Sequence, residues 1–237
     1  MRADAPRVDA GGLAYSLRRY YVDAFYLRQV ASLRDGSLVL DLGGYRAGGR
    51  GQFHLTRSRC RAIAINLVAK HPVDVLGDAR ALPCRMAAFD AVVCSEVLEH
   101  IAEPCIVLAE VHRVLKPRGR LLASVPFLHQ IHGEPHDFGR YTDAYWCRAL
   151  HASGFEVLAV ERQGLVWSVV TDLLRAHALT RLSGAGAHRR AARSALRWGL
   201  FAWAKRLAVR LDRRALASGD AAALRFTTGF GIVAAKA

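Results

Sequence analysis

The chain has 237 residues, 52% of them hydrophobic, enough to bury one substantial core in one domain or at most two. Its 34 basic residues outnumber 20 acidic ones for a formal charge of +14, which suits nucleic acid, an anionic membrane surface or acidic substrates as partners. Five scattered cysteines fit free thiols, and neither a signal peptide nor the roughly 18 to 20 apolar residues of a membrane span is legible, so a cytoplasmic protein, at most peripheral to a membrane, is expected.

After a polar leader, residues 13–33 are rich in Tyr, Leu and Arg and stop at Asp35-Gly36, which predicts a helix ended by a turn and covering one sheet edge. Strand-like runs then alternate with helix-like segments at 37–43, 61–66, 73–77, 89–95, 119–127 and 155–161. Several are continuously apolar, as in strands buried on both faces, so the expected fold is α/β with a doubly wound, mostly parallel sheet. Residues 164–224 break the rhythm, being long, helical in composition and basic, with a joint at Ser183-Gly184-Ala185-Gly186. They read as an insertion between a core at 1–163 and a final strand within 225–237.

The first strand ends Val39-Leu40-Asp41-Leu42-Gly43-Gly44-Tyr45, followed by Gly48, Gly49 and Gly51 ahead of an expected helix. A glycine-rich turn at the carboxyl end of a buried strand is where open α/β sheets bind nucleotides, because bare backbone permits close approach. A dinucleotide fingerprint would need glycine where Tyr45 stands and an acid where Asn66 ends the second strand, which disfavours NAD.

Four segments in order resemble class I S-adenosylmethionine-dependent methyltransferases, of the type 11-like bacterial small-molecule branch. Val39-Leu40-Asp41-Leu42-Gly43 is similar to their first motif, and Gly77-Asp78-Ala79 with Leu82-Pro83 to the loop after their third strand. Residues 89–101, ending Ser95-Glu96-Val97-Leu98-Glu99-His100-Ile101, resemble the fourth strand and its turn; residues 115–121 resemble the approach to the fifth. The resemblance implies a Rossmann-like fold with S-adenosylmethionine as cofactor. It sets Asp41, Gly43 and Gly44 against the methionine moiety, Asn66 at the ribose, Asp78 and Ala79 at the adenine, and Ser95 and Glu96 on the cofactor's open side. Tyr45 and Asn66 depart from the usual glycine and acid, and both bear on cofactor affinity.

A second constellation, His132-Gly133-Glu134-Pro135-His136-Asp137-Phe138-Gly139-Arg140-Tyr141-Thr142, follows the fifth strand and resembles an H-x-x-P-x-D-x-x-R-Y-T stretch of the same branch. His132, His136 and Asp137 are the candidate catalytic bases, with Arg140 and Tyr141 as candidate substrate contacts. Equally, Asp137 and Arg140 could tie the loop down while Thr142 caps a helix, and Glu96 could pair with His100 one helical turn away. A metal held by His132, His136 and Asp137 is disfavoured, because Pro135 interrupts helical ligand spacing.

Between residues 173 and 214, eleven basic residues face the single acid Asp212. If 191–214 is one helix, Leu196, Leu200, Trp203, Leu207 and Leu211 form one stripe, with Trp198 and Phe201 off it. That stripe either packs on the domain or leaves a basic amphipathic helix free for an anionic membrane. The leading expectation is methyl transfer to an O or N atom of a small or lipid-linked acceptor. The rivals are a non-catalytic cofactor-binding module at a membrane and an RNA methyltransferase, the latter supported by charge alone.

Overall fold

The structure is a computed structural model that describes residues 15–47, 51–133, 136–182, 188, 190, 194–195 and 199–237. Gly48, Gly49, Glu134, Pro135, the 183–186 joint, Leu196 and Trp198 lie outside the described residues.

The sheet comprises β1 (Leu38–Leu42), β2 (Arg61–Asn66), β3 (Val75–Leu76), β4 (Phe89–Ser95), β5 (Leu115–Pro126), β6 (Phe155–Arg162) and β7 (Gly229–Lys236). They run in the order β3-β2-β1-β4-β5-β7-β6, all parallel through β5 and with β7 antiparallel to both neighbours. The chain reverses direction of travel across the sheet at β1 and β4, the crevice where open α/β sheets take ligands. The helices are α1 (Leu17–Ala31), α2 (Pro104–Val114), α3 (Asp143–Ala152), α4 (Val166–Arg181) and α5 (Phe201–Ser218, the last two lying between β6 and β7).

Alternation along the strands splits the core in two. Leu40, Leu42, Val92, Cys94, Leu121 and Ala123 point to one face, under Val107, Leu108 and Val111 of α2 and Trp146 and Leu150 of α3. Val39, Ala91, Val93, Leu122 and Val233 point to the other, where Val22, Phe25, Tyr26 and Val30 of α1 cover them. Each of the Val, Leu and Phe side chains among them contributes about 1.5 to 3 kcal/mol by leaving water. The expected edge position of α1 is therefore corrected: apolar residues three and four apart give it a wide stripe, and only the middle of the sheet offers a matching surface. Ser16 caps it through its side chain, accepting from Arg19 N at 3.1 Å.

Two buried aspartates chain three helices together. Asp172 of α4 accepts from the N–H groups of Leu17 and Arg18 at the start of α1, at 2.9 and 2.8 Å. Asp212 of α5 likewise accepts from Leu165, Trp167 and Ser168 at the start of α4, at 2.8 to 3.1 Å. Both satisfy N–H groups left over at a helix start and meet the positive end of its dipole.

Two expectations change. Among the described residues the β1–β2 connection holds only a 3-10 turn at Leu55–Arg57, not the helix expected after the glycine turn. The segment 51–60 is polar and lacks an apolar stripe to bury. On α5 the packing face is Phe201, Lys205, Ala208, Val209 and Asp212, while Leu200, Trp203 and Leu207 of the expected stripe are exposed. Lys205 occupies the packing face because its ammonium donates to the Tyr15 carbonyl at 2.9 Å. Among the described residues no helix is long and apolar enough to cross a membrane.

Candidate active site

At the carboxyl end of β1 the chain turns on Gly43, whose φ of +77° glycine adopts without strain. A side chain there would strike Val97, and one at Gly44 would run into the Asp41 carboxylate. Asn66, at the end of β2, braces this turn: its amide donates to Gly43 O at 2.8 Å, and its Oδ1 accepts from Val68 N at 3.3 Å. Among the described residues nothing donates a hydrogen bond to the Asp41 carboxylate, and burial pushes its pKa up to about 7.

Two hollows of about 300 and 320 Å³ meet at Leu42 and Gly43. Asp41, Gly44, Tyr45 and Ser95 line the first. Asn66, Asp78, Ala79, Val97, His100 and His136 line the second, so the carboxyl edge brings most of the expected cofactor residues to one crevice. The carboxylate of Asp78 is held by Arg80, whose guanidinium donates at 2.6 to 3.1 Å and lowers its pKa. Ser95 Oγ lies 3.4 Å from Ser124 Oγ.

Glu96 holds a φ of +54°, costly for a residue with a side chain. Its carboxylate turns not to His100 but to Arg18 of α1, which donates through both Nε (3.1 Å to Oε2) and Nη2. Burial alone would raise the Glu96 pKa; the guanidinium reverses this and holds it down at about 2. Arg18 also donates to Gln163, so the pair ties α1 to the β4 turn and the end of β6.

Three residues further on, Glu99 is 1% exposed and neither of its oxygens has a hydrogen-bond partner among the described residues. Burial, and then the nearby Glu96, push its pKa up to about 8. His132 Nε2 lies 3.7 Å and His100 Nε2 3.8 Å from Glu99 Oε1.

In the loop after β5, Asp137 accepts from both terminal nitrogens of Arg140, Nη2 at 2.6 Å, and from His132 N at 2.9 Å. Arg140 holds its pKa down at about 2. A carboxylate so held is a poor proton acceptor at neutral pH, which removes Asp137 as a base and makes it the clamp that shapes the loop. Arg140 is committed to Asp137 rather than open to substrate. Thr142 caps α3, accepting from Tyr145 N at 3.4 Å. Tyr141 stacks on Tyr145 at 4.1 Å and meets Trp146 edge-on, which directs its ring into packing. His136 is exposed and contributes its backbone carbonyl, 2.7 Å from His100 Nδ1. Burial lowers the pKa of His132, which stays neutral and basic near pH 7, and lowers that of His129 to about 4.

Sequence reasoning passed over Arg18, Glu99 and His100 as site residues. Glu99 and His100 were in view inside the fourth motif, but the burial that sets them apart comes from the fold; Arg18 stands 78 residues from its partner.

An open sheet with this strand order and a glycine turn at its switch point defines a Rossmann-like cofactor-binding protein. The sequence profile of the methyltransferase domain family matches residues 49–123. An uncharacterized 37.1 kDa transposon protein of Streptomyces fradiae is 43% identical over 51 residues, 22% of this chain and 15% of that protein's length. The 1,6-didemethyltoxoflavin-N1-methyltransferase of Burkholderia thailandensis, solved with S-adenosylhomocysteine, superposes with a TM-score of 0.51 at 16% identity, over 93% of this chain and 78% of its own. The 4+2 cyclase SpnF gives a TM-score of 0.53 at 20% identity, over 91% and 79% of the two chains. Over residues 49–123 the chain is similar to methyltransferase domains, and its fold is that of S-adenosylmethionine-dependent methyltransferases. The crevice fits that cofactor: glycines whose side chains would fill it lie beside an unpartnered carboxylate.

Proposed function

We propose that the protein transfers a methyl group from S-adenosylmethionine to an oxygen or nitrogen of a small or lipid-linked acceptor, in a cytoplasmic setting that keeps its five cysteines reduced. The observation that carries this reading is the unpaired Asp41 carboxylate beside the Gly43–Gly44 turn, in a crevice that opens onto the His132–Tyr141 loop. Bound there, the cofactor supplies an electrophilic methyl on a sulfonium, and attack must be in line, so positioning provides much of the rate. The glycine turn admits the methionine moiety, Asp41 takes its ammonium group, and Asn66 Oδ1 accepts from a ribose hydroxyl. Asp78 and Ala79 border the adenine. Ser95 and Glu96 flank the reacting end, Glu96 by fixing Arg18 and the β4 turn. The Asp137–Arg140 clamp sets the position of His132, whose neutral ring takes the acceptor's proton where the acceptor must lose one.

A lipid-linked acceptor gains support from α5 and the residue before it, where Leu200 (57%), Trp203 (60%) and Leu207 are exposed beside Arg206, Arg210 and Arg214. Such a face suits the boundary of an anionic membrane. The test is transfer of labelled methyl from S-adenosylmethionine into small-molecule and lipid fractions of a cell extract. Label in an alkali-stable O- or N-methyl product supports the reading. Failure to bind the cofactor points instead to a non-catalytic module, and label confined to RNA to the RNA methyltransferase reading.

A further inference from the structure

His132, His136 and Asp137, disfavoured as a metal site in the sequence, are not arranged as ligands: Asp137 is held by Arg140, and the His136 ring lies against Phe138 with a centroid distance of 5.2 Å. A different trio converges. One ligand atom each from Glu99, His100 and His132 lie within 4.8 Å of one another, at the wall of the cofactor crevice. We propose that Glu99, His100 and His132 bind a divalent first-row transition cation, zinc or manganese by donor chemistry, which in turn holds the oxygen of a hydroxyl acceptor.

The argument is that three acceptors face each other with nothing between them. Glu99 is 1% exposed with both oxygens unpartnered among the described residues, a state a buried carboxylate reaches only at considerable cost. The His100 Nδ1 must carry the ring proton, because it lies 2.7 Å from the His136 carbonyl; that leaves the lone pair on Nε2, the atom turned towards Glu99. His132 Nδ1 lies 3.4 Å from the Gln130 carbonyl and 3.5 Å from Asp137 Oδ2, two acceptors against one donor, Arg140 Nη2 at 3.4 Å, so its Nε2 lone pair also faces Glu99. Imidazoles fixed through Nδ1 by a carbonyl or carboxylate, and presenting Nε2, are how histidine is prepared for a metal. At 3.7 and 3.8 Å the pairs are too far apart for hydrogen bonds, whereas an ion about 2.0 to 2.2 Å from each atom bridges them.

The surrounding charge agrees. Arg18 and Arg140, the nearest guanidiniums, are each neutralised by their own carboxylate, Glu96 and Asp137, leaving the Glu99 charge for the ion. Two imidazoles and one carboxylate suit zinc, manganese or iron better than magnesium or calcium, which prefer oxygen throughout. Three protein ligands also leave coordination positions open.

The inference rests on the methyltransferase reading. With the ion bound, His132 is a ligand in place of the proton acceptor, and a hydroxyl on the ion loses its proton to solvent at lower pH. The resulting oxygen attacks the sulfonium methyl, the new O–C bond forming as the C–S bond breaks and its electron pair returns to sulfur.

The test is calorimetric titration of the chelator-stripped full chain with zinc, manganese and magnesium chlorides. S-adenosylmethionine is titrated in parallel. The expected result is one equivalent of zinc or manganese bound at micromolar or better affinity, with Glu99→Gln and His132→Ala each weakening it at least about tenfold. Cofactor affinity should be unchanged in the stripped protein. Stripped Glu99→Gln should melt no lower than the stripped wild type, which excludes misfolding as the cause. Cofactor binding without saturable metal binding, or metal binding indifferent to both substitutions, overturns the site and leaves the methyltransferase reading standing; loss of cofactor binding in the wild type sinks that reading separately.

Discussion

Two sets of carboxylates share the carboxyl edge of this sheet and behave in opposite ways. Glu96 and Asp137 each lie against a guanidinium, and each is held at about 2. Asp41 and Glu99 have no cationic partner and are pushed up to about 7 and about 8. The paired carboxylates build the site: Glu96 with Arg18 anchors the β4 turn to α1, and Asp137 with Arg140 shapes the loop that carries His132. The unpaired ones carry the cost of burial with no return from the protein itself, which is the mark of groups kept for a ligand. In this fold the carboxylates that look best satisfied are therefore the wrong place to seek the chemistry.

The sharpest way to break this division is to remove a paired partner. Arg18→Ala leaves Glu96 buried and uncompensated and should cost about 3 to 5 kcal/mol, read as a large drop in denaturation midpoint. A drop comparable to that of an ordinary surface substitution would show that the pair is not structural. Next in size is the core of α5, where Phe201→Ala should cost about 3 kcal/mol while Trp203→Ser, on the exposed face, stays within about 0.5 kcal/mol. Trp203→Ser should instead reduce binding to phosphatidylglycerol vesicles; unchanged vesicle binding would remove α5 from the membrane.

Glu99 gives a pH-dependent test in chelator. Its folded pKa lies above the ordinary 4.5, so the folded protein keeps a proton that the unfolded chain releases. Stability from this group is intact below about pH 4.5 and is lost as pH rises towards about pH 8. Glu99→Gln should therefore be the more stable protein at pH 8, by on the order of 2 to 4 kcal/mol, with the gap closing towards pH 5. A gap that does not vary with pH would mean that Glu99 is ionised in the fold. The smallest effect concerns Asp137→Asn, which should leave cofactor affinity within about twofold and lower the turnover rate by about tenfold or more, because only the loop is loosened. Equal losses of both would place Asp137 in the cofactor crevice.

Much of the sheet was legible because its residues carry a local signal. The 61–66 and 89–95 runs became β2 and β4 at the same bounds, and the glycine turn sits where a buried strand meets Gly43 and Gly44. Three features were not settled by sequence. The α1 stripe fits a sheet edge or a sheet face equally well until the sheet exists. The leucine stripe of α5 allowed either a packed or a free face, and a lysine that can reach a carbonyl and an aspartate that can cap α4 decide it by burying the opposite face. The connection after β1 was taken for a helix from its position alone. At the site, the glycines, Asp41 and His132 could be picked out from sequence, whereas the pairing that separates Asp137 from Glu99 depends on contacts between distant segments. Glu99 and His100 meet His132 only because β4 and β5 are neighbours.

The measurement that bears most directly on the division between paired and unpaired carboxylates is the affinity of S-adenosylmethionine for the wild type and for Asp41→Ala, with folding checked by circular dichroism. The account predicts micromolar binding by the wild type, and binding at least about a hundredfold weaker in an Asp41→Ala protein that melts no lower, since burial penalises the wild-type carboxylate. An Asp41→Ala protein that binds the cofactor as tightly as the wild type would contradict it.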